Sequence, residues 1–203
     1  ESNFYKEDNL FFGHKRLSII DDKNGKQPMF SEDGKIILLY NGEIYNYKEL
    51  FKSYNYNFKT NSDTEVLIAG YQLKGISFVK DLRGMFSFAI YDKNINKLYL
   101  VRDNIGIKPM IFYFSNDKFI FSSELKSIKN YLKDIRIEHS SINEFFIRRF
   151  IPAPKTIWKN IFKLTKSSIL EFDLTENNYT CKKFNKENEN NKFKKIANEK
   201  IIK

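Results

Sequence analysis

The sequence predicts an α+β domain built on antiparallel sheet, with helices outside the sheet. Three observations point there: short apolar strand runs, connections too short for parallel crossovers, and helix start signals between the strands. Lys35-Ile-Ile-Leu-Leu-Tyr40 is a buried-strand run. Met85-Phe-Ser-Phe-Ala-Ile-Tyr91 alternates, Asp92 to Lys97 reads as a turn, and Leu98-Tyr-Leu-Val101 follows. Met110-Ile-Phe-Tyr-Phe114 and Lys118-Phe-Ile-Phe121 flank a Ser115-Asn-Asp117 turn. A parallel crossover needs a dozen or more residues, so the middle of the chain is expected to be an antiparallel meander.

Helices are expected where cap residues precede apolar periodicity. Asn46-Tyr-Lys-Glu49 and Ser62-Asp-Thr-Glu65 both read as capping boxes. The second opens a helix carrying Val66, Leu67, Ile68, Tyr71 and Leu73, closed by Gly75. Leu125 to Leu132 reads as a third helix, and Ser141-Ile-Asn-Glu144 opens a fourth that must stop before Pro152. An irregular Ile151-Pro-Ala-Pro-Lys155 stretch and a last strand, Ser168-Ile-Leu-Glu-Phe172, complete the domain. From about Asn185 the composition turns to Lys, Asn and Glu, as in a linker.

Composition sets the outer bounds. The 203 residues are 41% hydrophobic and 16% aromatic, enough for a core and against wholesale disorder. No apolar run approaches the ~18–20 residues of a membrane span, and the first six residues lack the apolar region of a signal peptide. No Met stands at position 1, so a longer parent chain is expected. The single cysteine, Cys181, permits no internal disulfide and no cysteine-based zinc cluster, which fits a reducing, cytoplasmic setting. The net charge of +10 is half carried by residues 181–203, where eight Lys face three Glu. Only six of the 35 basic residues are Arg, and none lies in a stripe with stacking aromatics, so neither nucleic acid nor membrane is expected as a partner.

Four polar segments could carry chemistry. In Gly13-His14-Lys15-Arg16-Leu17-Ser18-Ile19-Ile20-Asp21, Arg16 reads alone as a surface cation and His14 as a satisfied histidine. Asn41-Gly42, within Tyr40-Asn-Gly-Glu-Ile-Tyr-Asn46, reads alone as a type I′ hairpin turn. Asp63, in Ser62-Asp-Thr-Glu65, suits a helix N-terminus. The Arg102-Asp103 pair opening Asn104-Ile-Gly-Ile-Lys-Pro109 reads as a salt bridge. Taken singly, each has a structural explanation.

In order, with Gly25-Lys-Gln-Pro-Met29 and Leu82-Arg-Gly-Met-Phe-Ser-Phe-Ala-Ile-Tyr-Asp92, these segments resemble the N-terminal glutaminase domain of glutamine-hydrolysing asparagine synthetases. The bacterial type matches better, and the likeness runs from Gly13 to about Phe172 through Ser122-Ser-Glu-Leu-Lys126 and Pro152-Ala-Pro-Lys-Thr-Ile-Trp158. The resemblance implies a class II glutamine amidotransferase over residues 1–180, with residues 181–203 leading toward a synthetase domain outside the sequence. It also implies an N-terminal-nucleophile hydrolase fold, two antiparallel sheets between helical layers. In that family a thiolate of an N-terminal Cys attacks the glutamine amide while its α-amine acts as base. The ammonia then passes to an ATP-dependent domain that amidates aspartate.

Carried over residue by residue, the resemblance assigns the oxyanion hole to Asn41 and Gly42. It assigns the α-carboxylate of glutamine to Arg16, whose planar fork suits that task, and the α-ammonium to Asp63. Leu17, Ile19, Ile20 and Glu43 are expected to hold the amino-acid end of the substrate. No Cys precedes Gly13, so the nucleophile is expected to be missing from these residues, and Cys181 is expected to be a bystander on a late strand. No metal or cofactor site is expected in this domain; ATP and Mg2+ are expected with the synthetase domain. The expected partners are glutamine and that synthetase domain, and a homodimer stays open. Two other readings also remain open: amidation of another carboxylate, such as a sugar acid, and a catalytically dead scaffold of the same fold.

Overall fold

A computed structural model describes residues 2–8, 10–15, 26–115 and 117–185. Arg16, Leu17, Ile19 and Ile20 lie outside the described residues, as does nearly all of the 181–203 linker. The elements run β1 (Ser2–Glu7), β2 (Leu10–Lys15), β3 (Met29–Phe30), β4 (Ile36–Ile44), α1 (Tyr47–Ser53), α2 (Asp63–Lys74) and a 3-10 helix over Gly75–Asp81. There follow β5 (Gly84–Asp92), β6 (Lys97–Arg102), β7 (Ile111–Ser115), β8 (Lys118–Ser122), α3 (Leu125–Tyr131) and α4 (His139–Arg148). The last three strands are β9 (Ile161–Lys163), β10 (Ser168–Asp173) and β11 (Asn178–Lys183).

Two antiparallel layers face each other. The first is a six-stranded sheet in the order β11-β10-β6-β5-β4-β3; the second comprises the three-stranded β8-β7-β9 and the β1-β2 hairpin. Strand alternation sends Ile36, Leu38, Tyr40 and Ile44 to one side of β4, where they pack with Val66, Leu67, Ile68, Phe78 and Val79 of the α2 layer. Ile37 and Leu39 point the other way and pack with Phe12, Met110 and Phe112 between the layers. Beyond the second layer, Ile111 and Ile161 bury Ile128 of α3. The expected arrangement, antiparallel sheets between helical layers, is therefore present.

Several local expectations change. The expected meander divides: β4, β5 and β6 follow one another in the large sheet, but the chain after β6 crosses to the second layer before β7. The crossing segment is organised by Arg102 and Asp103, which form no salt bridge. Arg102 donates instead to the carbonyls of Gly106, Lys108 and Leu164 at 2.7, 2.8 and 2.6 Å. Asp103 is 1% exposed and accepts backbone N–H groups from Ile105, Gly106, Ile107, Lys108 and Phe86. Burial alone would push its carboxyl pKa up, but these backbone donors outweigh it and hold the group below the ordinary Asp range.

Neither capping box closes as expected. Asn46 precedes α1, but its amide bridges Asp81 O and Arg83 N, both at 2.9 Å, and makes no side-chain cap to the helix. Ser62 does cap α2, accepting from Thr64 N at 3.2 Å. Its own N–H is already taken by Thr60 Oγ1, so Glu65 turns to Lys59 N and Thr60 N instead. The fourth helix begins at His139, ahead of the expected Ser141, because Glu138 caps it through Ser140 N.

Candidate functional site

Asn41-Gly42 is not a turn. β4 runs straight through it, paired with β5 from Ile36↔Asp92 to Ile44↔Gly84, with Asn41 opposite Ser87 and Gly42 opposite Phe86. A nine-residue ladder outweighs the local turn preference of the dipeptide. Glycine is required all the same: Gly42 has φ 152°, and a Cβ there would stand 2.1 Å from Met85 O.

Past its short pairing with β3 at Ile37 and Leu38, the other edge of β4 carries no partner strand among the described residues. Side chains take the strand's place. Tyr40 N donates to Gln27 Oε1 at 2.6 Å, and Tyr40 O lies 3.1 Å from His14 Nε2. Two residues beyond Gly42, Ile44 N donates to Asp63 Oδ2 at 3.1 Å. By the two-residue alternation of a strand, the Gly42 N–H falls on this same edge, between two anchored positions. No described side chain or loop carbonyl accepts from it.

The edge borders a cavity of about 1070 Å³. Its walls include Asn41, Gly42 and Glu43 from β4, Asp63 from the first turn of α2, Gln27, and Ser87 from β5. Asp63 is 4% exposed, and Oδ2 accepts from both Tyr40 OH at 2.8 Å and Ile44 N at 3.1 Å. No described residue donates to its Oδ1. The Asn41 amide likewise bonds to no described residue, and Glu43 pairs with no described cation. Two donors and two carboxylates thus border one cavity with bonding capacity to spare, a lining that suits a cationic group at the carboxylates and a hydrogen-bond acceptor at the donors.

The structure therefore brings four of the expected site residues together: Asn41, Gly42, Glu43 and Asp63. Cys181 lies on β11, opposite Leu170, four strand spacings or about 19 Å from β4. Sequence reasoning assigned no role to Gln27 and Tyr40. Gln27 sits within the Gly25-Lys-Gln-Pro-Met29 segment, the one signal that could have drawn attention to it. Among the described residues, no group of three or more His, Cys, Asp or Glu could hold a metal ion, and no helix is long and apolar enough to cross a membrane.

The fold is that of the class II glutamine amidotransferases. A structure of glutamine phosphoribosylpyrophosphate amidotransferase from B. subtilis, complexed with ADP and GMP, aligns over 85% of this chain and 34% of its own, with TM-score 0.59 at 18% identity. The chain belongs to the glutamine amidotransferase domain family, whose pattern matches residues 1–185. Glutamine-hydrolysing asparagine synthetases are among its sequence relatives. Asparagine synthetase 2 of Bacillus subtilis is 41% identical over 87% of this chain and 25% of its own length. A putative asparagine synthetase 2 of Methanocaldococcus jannaschii is 39% identical over 84% of this chain and 36% of its own. Asparagine synthetase B of Escherichia coli is 41% identical over 63% of this chain and 24% of its own. The chain thus spans a quarter to a third of the length of these relatives.

Proposed function

We propose that this domain binds glutamine and releases ammonia from its side-chain amide, and that the whole protein uses that ammonia to amidate aspartate to asparagine. The observation that carries the reading is the join between Asp63 and the β4 edge. One carboxylate oxygen is fixed by Ile44 N, two residues from the Gly42 N–H, while its other oxygen receives no described donor. A substrate α-ammonium on Asp63 then extends its amide carbonyl toward Asn41 and Gly42.

In this reading a thiolate attacks the amide carbonyl carbon. The tetrahedral O⁻ that forms is met by the Asn41 side-chain amide and the Gly42 N–H. The C–N bond breaks, the nitrogen takes a proton from the protonated base and leaves as ammonia, and water hydrolyses the thioester to glutamate. The thiolate is that of the N-terminal Cys implied by the family resemblance; Cys181 lies on β11, at the edge of the sheet four strands from β4. Arg16 holds the α-carboxylate, and Leu17, Ile19, Ile20 and Glu43 complete the amino-acid end. ATP and Mg2+ serve a synthetase domain of the same protein.

The test is isotopic. The full-length protein is given glutamine labelled with ¹⁵N in its amide, together with aspartate and ATP. The label is expected in asparagine, one glutamate appearing for each asparagine made. Glutamate without labelled asparagine would overturn the aspartate assignment, and no glutamate at all would overturn the glutaminase assignment.

A further inference from the structure

We infer that Tyr40 is a positioning residue for substrate binding: its hydroxyl sets Asp63 for the α-ammonium while its peptide group anchors the strand edge that presents Gly42. The inference rests on the glutamine reading above. Tyr40 is 5% exposed and belongs to the core cluster between β4 and α2, where a phenylalanine would fill the same space. Its three polar groups are all engaged, and each acts on the site. The hydroxyl donates to Asp63 Oδ2 at 2.8 Å. The N–H donates to Gln27 Oε1 at 2.6 Å, and the carbonyl accepts from His14 in the tautomer protonated at Nε2.

The geometry separates the two oxygens of Asp63. Oδ2 is occupied from both sides, by the phenol and by Ile44 N, which holds the carboxylate in place and leaves Oδ1, with no described donor, for a cation. Burial first, and then the charge of Asp63, push the Tyr40 hydroxyl well above the ordinary tyrosine range, so it stays protonated and remains a donor. Gln27, 5% exposed, does for the peptide what Ile44 does for the carboxylate. Without it the Tyr40 N–H would be buried and unpaired.

A purely structural hydroxyl and a positioning hydroxyl predict different kinetics. The test uses the full-length protein with two substrates: L-glutamine, and 4-carbamoylbutanoate, which lacks only the α-amino group. Tyr40→Phe is expected to raise KM for glutamine about tenfold at nearly unchanged kcat. It is expected to leave kcat/KM for the des-amino analogue unchanged, so the preference for glutamine falls by the same factor. Equal losses on both substrates, or no loss on either, would overturn the inference. Should Tyr40→Phe fail to fold by circular dichroism, Gln27→Leu releases the Tyr40 peptide and must lower kcat on both substrates alike, through the strand edge that presents Gly42. An unchanged kcat there would be equally fatal. Wild-type protein that releases no glutamate from glutamine would instead defeat the glutamine reading itself.

Discussion

Gly42 and Met85 stand so close across the β4–β5 ladder that a Cβ on Gly42 would lie 2.1 Å from the Met85 carbonyl oxygen. The relation is mirrored two pairs along, where a Cβ on Gly84 would lie 2.1 Å from Glu43 O. Both glycines hold φ above 150°, a conformation open to few other residues. The ladder is thus pinched where the Gly42 N–H meets the cavity.

Gly42→Ala should therefore cost stability and catalysis together. Thermal melting should show a loss of about 1–3 kcal/mol from backbone strain. Glutamine hydrolysis should fall by about 10²-fold or more, since the N–H is displaced from the developing oxyanion. Gly84→Ala should show a similar loss of stability.

Asn41→Ala separates the side-chain donor from the backbone one. Asn41 is half-buried and bonds to no described residue, so its removal leaves no orphaned partner. Steady-state kinetics should show kcat lower by about 10²–10³ with KM for glutamine little changed. A rise in KM alone would move Asn41 from the reacting end to the binding end of the substrate.

The crossing loop after β6 gives a pH signature. Because folding depresses the Asp103 pKa, its stabilisation is fully present above the unfolded carboxyl value of about 3.9. It is lost as pH falls through the lower folded value. Asp103→Asn leaves one oxygen for several backbone donors, and urea unfolding at about pH 7 should show a loss of about 2 kcal/mol or more. The deficit should shrink as the comparison is moved into acid. A deficit that stays constant with pH would mean that the charge on Asp103 contributes nothing.

What could be read from the sequence follows physical range. The hairpin turns at Asp92 to Lys97 and Ser115 to Asp117 are local, and both strand pairs appear as expected. The Ser62 cap is local too, and it forms. The misread features depend on distant partners. Asn41-Gly42 looked like a turn because the β5 strand that straightens it begins some 40 residues later. Asn46 looked like a cap because Asp81 and Arg83, which draw its amide away, are equally remote in the chain. Arg102 and Asp103 looked paired because they are adjacent, whereas each reaches outward to backbone groups. Asn41, Gly42, Glu43 and Asp63, which border one cavity, are candidates drawn from ordered motifs. Gln27 and Tyr40 escaped because their roles depend on where a buried amide and a buried phenol point, which no local pattern encodes.

The most direct test of the account is a calorimetric titration of the full-length protein with L-glutamate, the expected product, which keeps the α-ammonium that Asp63 is assigned to hold. Wild-type protein should bind it, and Asp63→Ala should lose that binding by about 10²-fold or more, as expected for a charge-assisted contact at a buried carboxylate. Equal binding by the two proteins, with both folded, would contradict the claim that this cavity is the glutamine site.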